Sequence, residues 1–130
     1  MTLLKDVMSR HYETLDPDIS LKDARRQLET LNLGLLLVCR DRHVLGVLEA
    51  VELQRRLSEP GCDPVESRVR DVMSDNVLVG REEQDVRDLV TPMRERSIHT
   101  IPVLDADSRI VGVFTLGGPW KRLPAIASRE

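Results

Sequence analysis

The stretch Asp6-Val7-Met8-Ser9 returns letter for letter as Asp71-Val72-Met73-Ser74, 65 positions later in a chain of 130 residues. The correspondence runs on beyond these four. Leu28 aligns with Met93 and Val38 with Val103 at the same offset of 65, and Gly46-Val47 with Gly112-Val113 at an offset of 66. The slip of one residue places an insertion in a turn of the second copy, where insertions are tolerated. The chain is therefore one supersecondary unit written twice. A unit of this size cannot bury its apolar face without its twin, so the two copies are expected to form one compact module. The loop over 58–68, with Pro60, Gly61 and Pro64, divides them. Repeat 1 is assigned to 1–60, the linker to 61–67 and repeat 2 to 68–130.

Within the first copy, Ser20 followed by Asp23 predicts a capped helix start. Leu21, Ala24, Leu28 and Leu31 then fall on one helical face, with Lys22, Arg25, Arg26 and Glu29 opposite. Asn32 and Gly34 signal its end. Two short apolar runs, 35–39 and 44–48, flank Asp41-Arg42-His43 and predict a hairpin of buried strands. A second helix is expected over 51–57. The second copy repeats the series with a helix over 84–96 and strands over 101–104 and 109–114. Pro92 inside that helix removes a bond to Asp88 and predicts a kink, at a cost of about 3 kcal/mol in a regular helix. Pro119 predicts the start of a short last helix over 119–123.

Composition narrows the function. With 41% hydrophobic residues the chain can build a core, and that core is aliphatic, because Tyr12, Phe114 and Trp120 are the only aromatic residues. So few stacking platforms, together with a net charge of −3, argue against nucleic acid as a partner. No apolar run approaches the roughly 20 residues of a membrane span, and the opening Met1-Thr2-Leu3-Leu4-Lys5-Asp6 has no signal-peptide hydrophobic region, so a cytoplasmic location is expected. Cys39 and Cys62 lack metal-ligand spacing with each other or with His11, His43 and His99, so no metal site is expected. No nucleophile, base and acid constellation or phosphate loop stands out, and the chain is read as a non-enzyme.

The order strand, helix, strand, strand, helix, in duplicate, resembles a pair of CBS domains. The most specific stretch is Arg96-Ser97-Ile98-His99-Thr100-Ile101-Pro102-Val103-Leu104-Asp105 followed by Arg109-Ile110-Val111-Gly112-Val113-Phe114-Thr115. The first copy departs from the family in carrying Leu37 where proline is usual. The resemblance implies an α+β module of two pseudo-symmetric β-α-β-β-α repeats, commonly a homodimer. Such a module senses adenosyl ligands such as AMP, ADP, ATP, S-adenosylmethionine or NAD, requires no cofactor, and signals to a protein partner that the sequence does not identify.

The resemblance further implies two ligand clefts. One would join Met73, Leu78, Ile98 and His99 to Glu49 and Glu52. The other would join Met8, Glu13, Leu33 and Gly34 to Thr115 and Gly118. Both depart from the family pattern, in which a Ser or Thr contacts phosphate and an Asp three residues later holds ribose. Glu52 stands for the Asp and Glu49 for the Ser or Thr in the first cleft; Thr115 fits the second, but Gly118 has no side chain. His99 could offset the Glu49 charge if protonated, and Gly117-Gly118 would admit a ligand close to the backbone. Plainer roles fit the same residues: a structural hydrogen bond for His99, helix-dipole stabilisation for Glu52, a β-branched strand position for Thr115, and a turn for Gly117-Gly118-Pro119. The alternative to a sensor is a CBS-like scaffold without a ligand, serving dimerisation or partner docking.

Overall fold

The computed structural model describes residues 1–31 and 35–116. In chain order the elements are α1 (Leu4–Val7), β1 (Thr14–Leu15), α2 (Leu21–Leu31), β2 (Leu35–Arg40), β3 (His43–Glu49), α3 (Ala50–Leu57), β4 (Gly80–Arg81), α4 (Arg87–Glu95), β5 (Thr100–Leu104) and β6 (Ile110–Thr115), with a 3-10 turn at Val69–Asp71. The predicted α+β repeat is present in both copies. The helix expected over 119–123 lies outside the described residues.

The chain divides into two compact units whose limits do not coincide with the repeats. One is the continuous stretch Glu13–Val77; the other joins Met1–Tyr12 to Leu78–Glu130. The opening segment of each repeat is thus built into the unit formed by the rest of the other repeat. Equivalent backbone bonds stitch both segments in. In the continuous unit the Val69 amide donates to the Ile19 carbonyl at 3.0 Å and Leu21 to Ser67 at 3.0 Å. In the split unit Leu4 donates to Gln84 at 2.9 Å and Val86 to Thr2 at 2.8 Å, the same bonds moved by 65 positions.

Each unit has a three-stranded mixed sheet. β1 runs parallel to β2, which is antiparallel to β3; β4, β5 and β6 repeat the order. The β2–β3 loop is the pair Asp41 and Arg42, both at positive φ (53° and 65°), as the tightest hairpin turns require. The β5–β6 loop is longer. Cys39 pairs with Val44 in the first hairpin and Leu104 with Ile110 in the second, which locates the inserted residue in this turn. The Asp105 carboxylate organises the longer loop by accepting the Asp107 and Arg109 amides at 2.8 and 3.0 Å.

Both cores are mainly aliphatic, Phe114 being the aromatic exception. In the continuous unit Leu21, Ala24 and Leu28 of α2 pack with Leu36, Val38, Leu48, Leu53 and Val69. In the split unit Leu4 joins Val86, Leu89, Met93, Ile101, Val103 and Phe114. The Ser20 hydroxyl accepts the Asp23 amide at 3.1 Å and caps α2, while the Asp23 carboxylate faces Arg26 at 3.9 Å. Helix α4 begins at Arg87, three residues later than expected, because the Asp85 carboxylate takes the Arg87 amide at 2.9 Å. Pro92 lies inside α4.

On the surface Asp18 meets Arg70 at 2.6 Å and Lys5 meets Glu83 at 3.0 Å, ion pairs at equivalent places in the two units. Arg40 also pairs with Asp18, and hydrogen bonds from the Arg40 and Arg70 guanidiniums hold that carboxyl below the usual aspartate range. Such exposed pairs add little stability.

Cys39 is buried in β2, and burial pushes its thiol up to about 11. Since the thiolate is the reactive form, Cys39 should resist a disulfide reagent at pH 8 and react only on unfolding. The half-buried Cys62 should react in the folded protein. Titration with Ellman's reagent before and after urea checks this; two fast thiols in the folded protein would contradict it.

Candidate functional site

In each unit the Met-Ser of an opening segment lies on a glycine of the last strand. Val47 and Ser74 exchange both backbone hydrogen bonds at 2.9 Å. In the split unit Ser9 and Val113 do the same, at 2.8 and 2.9 Å. A side chain at Gly46 would stand 2.6 Å from the Ser74 carbonyl oxygen and 3.0 Å from Met73 Sδ. At Gly112 it would stand 2.8 Å from the Ser9 carbonyl oxygen and 2.7 Å from Met8 Sδ. The contact explains why Asp-Val-Met-Ser and Gly-Val recur together: one motif is the seat of the other.

In the continuous unit this contact forms one wall of a partly open cleft of about 370 Å³, lined by Val47, Glu49, Glu52, Val72, Met73 and Ser74. Val47, Glu49 and Glu52 come from repeat 1 and the other three from repeat 2, so the cleft is shared by both sequence repeats inside one compact unit. Its walls combine apolar surface from Val47, Val72 and Met73 with two carboxylates.

Glu49 ends β3 and is the N-cap of α3, with an extended backbone (φ −93°, ψ 141°), and its side chain makes no capping bond. Among the described residues it makes no ion pair. Glu52 lies in the first turn of α3 and pairs with Arg55 three residues on. The arrangement can accept hydrogen bonds from a polyol or an amine while the apolar wall covers a flat ring.

The structure thus brings together Glu49, Glu52 and Met73 of the first predicted group. Leu78, Ile98 and His99 belong to the split unit. Leu78 and Ile98 pack against its core. His99 has an exposed side chain, and its backbone carbonyl accepts the Leu116 amide at 2.7 Å.

Of the second group, Met8 lies under Gly112, and Thr115 ends β6 with its hydroxyl 3.2 Å from that of Thr100. Thr115 pairs with Thr100 as Glu49 pairs with Leu35, so Thr115 and Glu49 are equivalent positions. Glu13 is exposed in the continuous unit. Leu33, Gly34, Gly117 and Gly118 lie outside the described residues. Val47, Val72 and Ser74 line the cleft without having been singled out, although they sit in the recurring motifs themselves. Among the described residues no three His, Cys, Asp or Glu side chains cluster to hold a metal ion. No helix among them is long and apolar enough to cross a membrane.

Residues 4–59 and 69–117 each match the family model described as CBS domain. Among curated proteins, the chain is 25% identical over 117 residues to the CBS domain-containing protein YhcV of Bacillus subtilis, covering 90% of this chain and 82% of that one. It is 26% identical over 113 residues to a homoserine O-acetyltransferase of Methanosphaera stadtmanae, covering 86% of this chain. It spans only 22% of that relative's length. Among solved structures it superposes on the CBS domain pair of protein MJ0100, in complex with 5′-methylthioadenosine and S-adenosyl-L-methionine. The TM-score is 0.75 at 24% identity, covering 88% of this chain and 90% of the other.

Proposed function

The chain belongs to the CBS domain family, whose paired domains are regulatory modules, and from that premise we propose that it binds an adenosyl compound in the cleft beside Glu52 and passes the bound state to a partner protein. The observation that carries this reading is the cleft itself. It brings Glu52 into one lining with Met73 and Val72, a hydrogen-bond acceptor together with apolar surface. A carboxylate can accept from both hydroxyls of a ribose, and a thioether beside valines suits the face of a purine. The adenosyl ligands of the MJ0100 domain pair support the same class of compound. His99, Ile98 and Leu78, and in the second group Thr115, Gly118, Gly34 and Leu33, remain the further proposed contacts; a homodimer is the proposed assembly.

Thermal unfolding with 5′-methylthioadenosine, S-adenosylmethionine, AMP, ATP and NAD tests the proposal. At 100 times the dissociation constant a ligand adds about 2.7 kcal/mol to the folded state, which raises Tm by several degrees in a chain of this size. Glu52→Ala should remove charge-assisted hydrogen bonds worth about 1.5–3 kcal/mol and weaken the ligand at least about tenfold by calorimetry. A second reading, a scaffold without a ligand, is favoured by the Glu52–Arg55 pair, which already engages the carboxylate. An unmoved Tm with all five compounds would establish that reading instead.

A further inference from the structure

We infer that this cleft sorts its ligands by charge: Glu49 turns away nucleosides that carry a phosphate and admits those with a cationic or uncharged 5′ substituent. The inference rests on the adenosyl reading above and goes beyond it to the class of ligand. Its first support is the lining. Among the described residues Glu49 and Glu52 are the ionisable groups that line the cleft, and no basic side chain lines it.

The second support is where the two acids stand. The start of a helix offers unpaired amides and a partial positive charge, and it ordinarily draws a phosphate. Here the start of α3 borders the cleft, but its N-cap is Glu49 and its first turn contains Glu52, so negative charge already occupies the place an anion would take. Arg55 pairs with Glu52 and offsets one of the two charges. Glu49 has neither a capping bond to absorb its charge nor an ion pair among the described residues. Its side chain is also exposed and free to meet a ligand.

The third support is the contrast inside the chain. The equivalent position in the other unit carries Thr115, a neutral hydroxyl that can donate to a phosphate oxygen. The two units share their backbone bonds and their Met-Ser seat, so the sign of the charge at this position is a local difference and not a consequence of the fold. A sulfonium nucleoside brings a cation to Glu49, a thioether nucleoside brings nothing it opposes, and a nucleotide brings a second anion.

Calorimetry with four probes tests this in wild type, Glu49→Gln and Glu49→Thr: S-adenosylmethionine, 5′-methylthioadenosine, AMP and ATP. Wild type should bind the first two more tightly than AMP, and AMP more tightly than ATP. Removing the charge should raise the affinity for AMP relative to 5′-methylthioadenosine about tenfold, and lower that for S-adenosylmethionine relative to the same reference. Added salt should narrow the wild-type differences, as screening requires. Glu49→Thr, which copies the equivalent residue of the other unit, should move the ratios in the same direction and guards against an idiosyncrasy of glutamine. AMP binding wild type as tightly as 5′-methylthioadenosine, or ratios that stay fixed in both variants, would overturn the charge filter while leaving the adenosyl reading intact. Failure of wild type to bind any of the four would overturn both.

Discussion

Gly112→Asp is expected to abolish cooperative folding of the split unit. Gly112 is buried in β6, paired with Val103. A side chain there would begin 2.8 Å from the Ser9 carbonyl oxygen and 2.7 Å from Met8 Sδ. The sulfur end of a methionine can swing aside, but the carbonyl is held by the two-way hydrogen bond between Ser9 and Val113. Aspartate adds a carboxylate next to that oxygen, and none of the three atoms nearest the new side chain can donate to it. Burying an unpaired charge and separating packed backbone together should exceed about 4 kcal/mol, a large share of the roughly 5–15 kcal/mol that holds a domain folded. Gly112→Ala, which brings the clash without the charge, should fall between wild type and Gly112→Asp. Urea unfolding followed by circular dichroism gives all three stabilities. A midpoint for Gly112→Asp close to that of wild type would show that the Met8-Ser9 segment does not lie on β6.

Leu4→Ala should cost about 2–5 kcal/mol, the range for deleting most of a fully buried leucine. Leu4 is 0% exposed and packs among Val86, Leu89, Met93, Ile101, Val103 and Phe114. Its Cδ1 lies 2.4 Å from where a Cβ on Gly80 would stand, so glycine at 80 makes room for it. The backbone bonds to Gln84 and from Val86 do not involve the side chain, so the segment should stay docked while the core beneath it loosens. Hydrogen exchange provides the decisive pattern. Amides of Ile101 and Phe114 should lose protection while those of Val38 and Leu48, in the other core, keep theirs. The reverse pattern would mean that the opening segment belongs to its own repeat.

Much of this fold can be read from the chain because the two copies check each other. Ser20 announces α2 unaided, since a hydroxyl before a three-and-four spaced apolar run is a strong start signal. The start of α4 was placed too early by periodicity alone. Moving Ser20 by the repeat offset lands on Asp85, the residue that does take the Arg87 amide. The hairpins were legible from short apolar runs, and the inserted residue from the slip between Val103 and Gly112. The exchange of opening segments was not legible. Leu4 and Val69 are both buried, but no pattern in the sequence says under which copy, because both copies present a largely aliphatic surface. Glu49, Glu52 and Met73, which line one cleft, were named from the family resemblance and not from any pattern in the chain itself. The Glu52–Arg55 pair is present in the sequence as an i, i+3 spacing. Ser74 escapes a side-chain reading because its part is the backbone seat on Gly46 and Val47, which no side-chain pattern reveals.

The division of the chain into a continuous and a split unit also sets a clock on its synthesis. Glu13–Val77 is complete as soon as its last residue is made. Met1–Tyr12 is made first, yet it has nothing to dock on until the segment from Leu78 through β6 has followed. Making residues 13–115 at about 5–20 residues per second takes roughly 5–20 s. During it Leu4 is solvent-exposed, and neighbouring ribosomes carry chains with the same vacant seat. A crowded polysome is therefore where one copy's first twelve residues would be captured by another, and slower translation over 78–115 would lengthen that exposure.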